Sequence, residues 1–207
     1  MSRELPCVPS APSISAMWLT REQLLDRGFA SVGDNVLIDD TVVIYGAPHV
    51  SFGDNVRVDS GVQLTGGPDG PLVVGDYVHI SAMARVLASS APVTVSDFCG
   101  IAPGALIFSA SDDYSSGALT GPLVPPDLRN ATVGAVFLGP HVVIGANSVV
   151  LPGATLEFGA SVGALTVVRR SLGRGEVVYG NPMRRMRVGR DTDKLAQLSA
   201  ELRARED

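Results

Sequence analysis

Six times along this chain an apolar residue returns at every sixth position for three beats: Val32, Ile38, Ile44; Phe52, Val58, Leu64; Val74, Ile80, Val86; Val95, Ile101, Ile107; Leu138, Ile144, Val150; and Leu156, Val162, Val168. Neither a helix nor an alternating strand repeats every six residues, so the period predicts a solenoid of short strands and turns. In V-G-D-N-V-L, F-G-D-N-V-R and V-G-D-Y-V-H the first and fifth residues point inward. Gly, Asp and Asn take positions where the backbone must turn. Three hexapeptides make one triangular rung, which gives about six rungs, with small excesses at corners such as residues 66 to 70.

A narrow coil interior wants small aliphatic side chains, and the chain is 45% hydrophobic but only 5% aromatic. Sixteen Lys plus Arg against 21 Asp plus Glu leaves no electrostatic footprint for nucleic acid or a membrane surface. Cys7 and Cys99 are too few and too far apart for a disulfide framework, which fits a reducing, cytoplasmic setting. Residues 1 to 17 read as a mobile tail, with neither a signal peptide nor a membrane span. The coil domain is expected over 18 to 187. Thr20 and Gln23 form a capping box for a short helix that Gly28 stops, with Leu24 and Leu25 docking it.

One interval breaks the beat. Between Ile107 and Leu138 the chain leaves the coil through an excursion, residues 108 to 137, that is rich in Gly, Pro and polar residues and too long for a corner. Excursions of that length in compact domains are commonly functional. Beyond Val168 the segment RRSLGRGEVVYGNPMRRMRVGR is basic. Residues 188 to 207 hold an amphipathic helix with Leu195, Leu198 and Leu202 on one face.

On the hexapeptide period, the run LGPHVVIGANSVVLPGATLEFGASVGALTVVRR and the YGNPMRR element after it, the chain resembles the left-handed β-helix hexapeptide acyltransferases, specifically those acting on sugars and nucleotide sugars. The resemblance covers roughly residues 20 to 187. It implies a left-handed parallel β-helix, a homotrimer, and acetyl-CoA meeting its acceptor in clefts between neighbouring coils. It also matches Ala146 and Ala164 to small residues whose backbone holds the pantetheine arm, and Arg169, Arg170, Arg184 and Arg187 to the positions that meet the nucleotide phosphates of CoA. Guanidinium forks suit phosphate oxygens.

Acyl transfer from a thioester needs a proton acceptor and donors for the developing oxyanion. Sugar O-acetyltransferases of this kind carry a histidine in the excursion, where this chain has SASDDYSSG. Asp112 stands nearest that position, with Asp113 and Tyr114 beside it as candidate acceptor contacts. His79, outward at the end of its hexapeptide, is the other candidate base, since an imidazole titrates near neutrality. Ser81 falls just past it, and Asn147 is a candidate donor to the thioester carbonyl or a plain turn residue. His141 sits in a turn, His49 in an early corner, and Arg57 and Arg85 are unspecific candidates for a diphosphate. No histidine has a partner at metal-ligand spacing, against the zinc site of the γ-class carbonic anhydrases built on the same coil, and no metal is expected. The excursion and the arginines argue against a silent scaffold. The leading expectation is an acetyl-CoA-dependent O-acetyltransferase acting on a sugar hydroxyl in surface polysaccharide or glycoconjugate synthesis. The alternative is N-acetylation of a nucleotide-linked amino sugar, because a neutral amine attacks thioesters with less help from a base.

Overall fold

The computed structural model describes residues 17 to 205; the expected tail, with Cys7, lies outside them but for Met17. Strands of two to four residues stack in parallel to form three faces of a prism. The first face holds Ser31–Val32, Val50–Phe52, Leu72–Val74, Val93–Val95, Val136–Leu138 and Thr155–Leu156. The second runs from Leu37–Ile38 to Val177–Tyr179, and the third from Val43–Tyr45 to Val167–Val168. After six complete turns, Leu172 bridges to Leu156 and Val177–Tyr179 pairs with Ser161–Val162. The coil therefore has about seven turns, one more than the beat suggests, because the last lacks a third strand and its hexapeptides are disguised by arginine and glycine.

The register explains the period. Ile38, Val58, Ile80, Ile101, Ile144 and Val162 sit one above another on the second face, each at most 2% exposed. The fifth positions Val36, Val56, Val78, Cys99, Val142 and Ala160 are buried as well. Burying a branched aliphatic side chain is worth about 1.5–3 kcal/mol relative to exposure, so a one-residue slip, which exposes whole columns, is excluded.

The corner between the first and second faces carries a less expected arrangement. Its fourth hexapeptide positions adopt left-handed backbone angles, and they include Tyr77, Phe98 and His141 at φ 56°, 60° and 63°. Left-handed geometry costs a residue with a Cβ roughly 1–2 kcal/mol. Ring stacking offsets that cost: Tyr77 lies 4.9 Å from Phe98, and Phe98 4.8 Å from His141, with nearly parallel planes. Beside the rings an aspartate ladder closes each turn on the next. The Asp54 carboxylate accepts from the Asp34 N–H, Asp76 from Asp54, and Asp97 from Asp76.

Two helices lean on the coil. In α1, Arg21–Asp26, the reciprocal capping box of Thr20 and Gln23 is present, and Leu24 is buried. Leu25, expected to dock with it, is 57% exposed. In α2, Thr192–Arg203, only Leu195 of the expected apolar stripe docks: Leu198 and Leu202 are half and one-third exposed. The helix lies along the corner ladder through Leu195, Ser199 and Arg203, spaced by four residues. The Ser199 hydroxyl meets His141 Nε2 at 3.2 Å, while Arg203 pairs with Asp97 and sits over the Phe98 ring. A polar ladder selects a polar helix stripe.

Burial, and then the nearby Arg190 cation, lowers the His141 pKa, partly countered by Asp97, with Arg203 adding to the lowering. A histidine depressed in the fold stabilises it above its unfolded pKa near 6.5 and loses that contribution as pH falls through the folded value. We expect melting temperature to drop between pH 7 and pH 5, and His141→Phe to remove part of that drop, read by calorimetry at both pH values.

Candidate active site

The excursion is an arm with a closed base. Ala110–Ser111 pairs antiparallel with Thr132–Val133, and the buried Ser109 hydroxyl accepts from the Ser90 and Ala91 N–H groups across the corner. Within the arm the two neighbouring acids differ. Asp113 accepts hydrogen bonds from Ser116 and Ser115, and from Asn130 Nδ2 at 2.6 Å. Those bonds, from Ser116 first and then Ser115, hold its carboxyl well below the usual carboxylate range. Asp113 organises the loop and is a poor proton acceptor. Asp112 receives one long bond at its carboxylate, from the Gly121 N–H at 3.2 Å. Tyr114 projects, 89% exposed.

Three cavities adjoin along the arm and the end of the coil. The first, about 500 Å³, lies between Ser90, Asp112, Arg129 and Asn130. The second, about 310 Å³, is bounded by Asp112, Asp113, Tyr114, Pro152 and Arg169. The third, about 450 Å³, is lined by Arg169, Arg170, Asn181, Pro182 and Met183. Asp112 borders the first and second, and Arg169 the second and third. Shared lining residues thus link Arg129, Asp112, Arg169 and the Asn-Pro turn in that order.

The other basic candidates are not equivalent. Arg170 is held by Glu176, at 2.6 Å from Nη2 to Oε1, and Glu176 is only 9% exposed. Arg170 keeps the Glu176 carboxyl below its ordinary pKa, with the Gly173 N–H helping against the opposing effect of burial. Its charge is thus largely committed to Glu176, although the guanidinium is half exposed. Arg184 lies in the Arg184–Arg185 strand that folds back on Val177–Tyr179 and is exposed, as is Arg187.

Ala146 and Ala164 occupy successive turns at the corner between the second and third faces. The Ala146 carbonyl accepts from the Leu165 N–H at 2.9 Å, and the Ala164 carbonyl from the Thr166 hydroxyl at 3.3 Å. Gly145 permits this close stacking, since a Cβ there would meet Ala164 N at 2.4 Å. Asn147 turns the corner at φ 54° and its amide oxygen lies over Gly104. By register, the same corner continues through Ala102 and Ser81 to Asp59.

His79 stands at that upper end. Its Nε2 is 2.8 Å from Asp59 Oδ2, while Arg57 Nε donates to Asp59 Oδ1 at 2.7 Å and its guanidinium lies 5.2 Å from the Trp18 ring centre. Burial alone would raise the Asp59 carboxyl; hydrogen bonds from Arg57 and His79 outweigh it and hold the pKa below normal. His79 is on the second face, whereas Asp112 springs from the corner after the third. One chain does not bring the two candidate bases into one cavity. Arg85 is on the third face, away from Arg57, and His141 belongs to the helix-docking ladder. Sequence reasoning missed Asp59, Trp18 and Arg129; only the register placing Asp59 beside His79 could have signalled the first. Among the described residues there is no cluster of three metal-ligating side chains, and no helix long and apolar enough to cross a membrane.

A parallel prism of hexapeptide turns, with an acid-bearing arm and a basic, Asn-Pro-closed end, defines an acyltransferase of the β-helix class, and the chain belongs to the hexapeptide-repeat acyltransferase family. Over 183 residues, 88% of this chain and 93% of the relative, it is 36% identical to the dTDP-4-amino-4,6-dideoxy-D-glucose acyltransferase of Escherichia coli. It is also 36% identical, over 53% of each chain, to the putative lipopolysaccharide biosynthesis O-acetyl transferase WbbJ of Escherichia coli K12. Among solved structures it is similar to AntD, an N-acyltransferase from Bacillus cereus, in complex with dTDP and 3-hydroxybutyryl-CoA: TM-score 0.85, 32% identity, 92% of this chain and 98% of that one. A second AntD complex, a variant with dTDP-4-amino-4,6-dideoxyglucose and coenzyme A, also gives 0.85, at 33% identity over 91% and 97% of the two chains. No protein-family model matches the chain.

Proposed function

We propose that this protein transfers an acyl group from acyl-CoA to the amino group of a nucleotide-linked amino sugar, a dTDP-4-amino-4,6-dideoxyhexose being the acceptor class. The hydroxyl acceptor that led the sequence expectations gives way to the amine. The similarity that spans nearly the whole chain is to an amino-sugar acyltransferase, whereas the similarity to an O-acetyl transferase spans about half.

The observation that carries the reading is the place of Asp112. It lines two cavities, each of which also has an arginine in its lining. A nucleotide-linked sugar has an anionic end and an amine across the ring from it; acyl-CoA brings a second anionic end. Asp112 then sits where the amine and the thioester meet, and Arg169 faces the CoA side. The amine nitrogen attacks the thioester carbonyl carbon, forming the C–N bond. Asp112 accepts the nitrogen's proton, the C–S bond breaks, and the thiolate of CoA takes the proton as it leaves. An amine makes modest demands on the base, which suits a carboxylate.

Ala146 and Ala164 would guide the pantetheine arm and Asn147 would donate to the carbonyl oxygen, with Arg184 and Arg187 at the phosphates. Ser81 and His79, on a different face from the arm, join the site if a homotrimer sets one protomer's arm against its neighbour's corner. A cytoplasmic location follows, since CoA thioesters and nucleotide sugars are intracellular metabolites.

The test is the product. Incubated with an acyl-CoA and dTDP-4-amino-4,6-dideoxyglucose, the protein should add one acyl mass in a linkage that survives alkaline hydroxylamine. Alkaline hydroxylamine makes the distinction, since it strips oxygen esters and leaves amides; an adduct that it removes would be an ester and would sink the amine reading.

A further inference from the structure

The first cavity contains a group that the amine chemistry does not use. Arg129 Nε is buried and has no hydrogen-bond partner among the described residues, and Nη1 makes only a 3.4 Å contact to the Gly121 carbonyl. A buried donor left unpaired costs about 1–3 kcal/mol, more when charged, so a site that keeps one gains when an acceptor arrives. The arginine has a place in the fold as well as a free donor. It follows the short helical turn Pro126–Leu128, and its own segment bridges to Leu119 across the arm. The backbone of Arg129 is therefore held on both sides, so its side chain starts from a fixed position in the arm.

We propose that Arg129 is the specificity-determining contact for the diphosphate of the acceptor, a role that rests on the nucleotide-sugar reading above. The chemistry of the lining favours an oxyanion. Arg129 offers a planar fork of N–H donors, the Ser90 hydroxyl adds a neutral one, and Asp112 is the one carboxylate in the lining. Asp113, the other acid of the arm, is already occupied by Ser115, Ser116 and Asn130. The shared lining then matches the acceptor: diphosphate at Arg129, amine at Asp112, which lines both cavities, and thioester on the Arg169 side. The arrangement also assigns the two arginines to different substrates. Arg129 selects a nucleotide-linked sugar over a free one, while Arg169 faces the CoA side.

The experiment uses the full-length protein and four measurements on wild type, Arg129→Gln and Arg129→Lys: titration calorimetry with dTDP, titration with inorganic pyrophosphate, steady-state kinetics, and melting temperature. Loss of a charged, bidentate contact weakens binding by about tenfold to a hundredfold. Arg129→Gln is expected to weaken dTDP and pyrophosphate by that factor and to raise KM for the nucleotide amino sugar in parallel. KM for acyl-CoA should stay within about twofold and kcat should change little. Arg129→Lys should recover part of the affinity, because charge remains while the fork is lost.

Unchanged dTDP and pyrophosphate affinity in a folded Arg129→Gln protein would overturn the assignment, as would a rise in KM for acyl-CoA instead of the acceptor. A fall in melting temperature with no change in either KM would make Arg129 a strut of the arm and overturn it equally. If wild type acylates a free amino sugar as well as the nucleotide-linked one and does not bind dTDP, the nucleotide-sugar reading itself fails. If wild type binds dTDP and acts on the nucleotide sugar while Arg129→Gln does both equally well, only the arginine's role fails.

Discussion

Asp112→Asn is expected to lower kcat by about a hundredfold, with melting temperature unchanged. General acid–base groups contribute roughly 10²–10⁴ in rate, and an amine acceptor places the loss toward the lower end. The fold should not suffer, because the carboxylate makes a single 3.2 Å contact, to Gly121. Asp113→Asn is the informative companion. Its carboxylate gathers Ser115, Ser116 and Asn130, so its loss should loosen the arm and raise acceptor KM more than it lowers kcat. Steady-state kinetics on both variants and on His79→Gln separate the candidates. A larger kcat loss for His79→Gln than for Asp112→Asn would move the proton acceptor to the His79–Asp59 pair.

The second large effect is structural. A Cβ at Gly145 would lie 2.4 Å from Ala164 N, 2.6 Å from Gly163 C and 2.7 Å from Val162 O, all backbone of the next turn. No side-chain rotation relieves such a clash. Gly145→Val should therefore cost at least the upper end of overpacking penalties, about 3 kcal/mol, which for a chain of this length is a fall in melting temperature of roughly 6–12 °C. It should also spread the turns carrying Ala146 and Ala164 and weaken CoA binding. Gly100→Ala is the control: a methyl group there would have nothing within 4 Å, and its effect should be within about 0.5 kcal/mol. Thermal melts and CoA titration check both; equal melting temperatures for the two variants would contradict the close-approach account.

The period of six made the interior legible because it is a packing rule: Ile38, Val58, Ile80 and Ile101 are alike because they share one column. Corners were legible where glycine or asparagine marked them and not where Tyr77, Phe98 and His141 did, since those rings are tolerated there only through stacking across turns. The docking face of α2 was misread for a related reason. Hydrophobic pattern points to Leu198 and Leu202, but the surface awaiting the helix is a ladder of aspartates and rings that takes Ser199 and Arg203.

Of the candidate site, the arm and the basic end could be found by where the beat fails and stops. Their adjacency, through Asp112 and Arg169, depends on how the arm folds back, which no spacing encodes. Arg129 was invisible for the same reason: in sequence it is one arginine in a polar stretch, and only burial of its Nε distinguishes it. Conversely, Arg170 looked like its neighbour Arg169 until Glu176, six residues on, was seen to hold it.

The most direct measurement of the central claim is the ratio of kcat/KM, by CoA release, for dTDP-4-amino-4,6-dideoxyglucose and for the analogue with a hydroxyl at the same carbon. A neutral amine attacks a thioester with a weak base where a hydroxyl does not, so the amine should be favoured by at least about a hundredfold. A ratio near one, or preference for the hydroxyl, would contradict it.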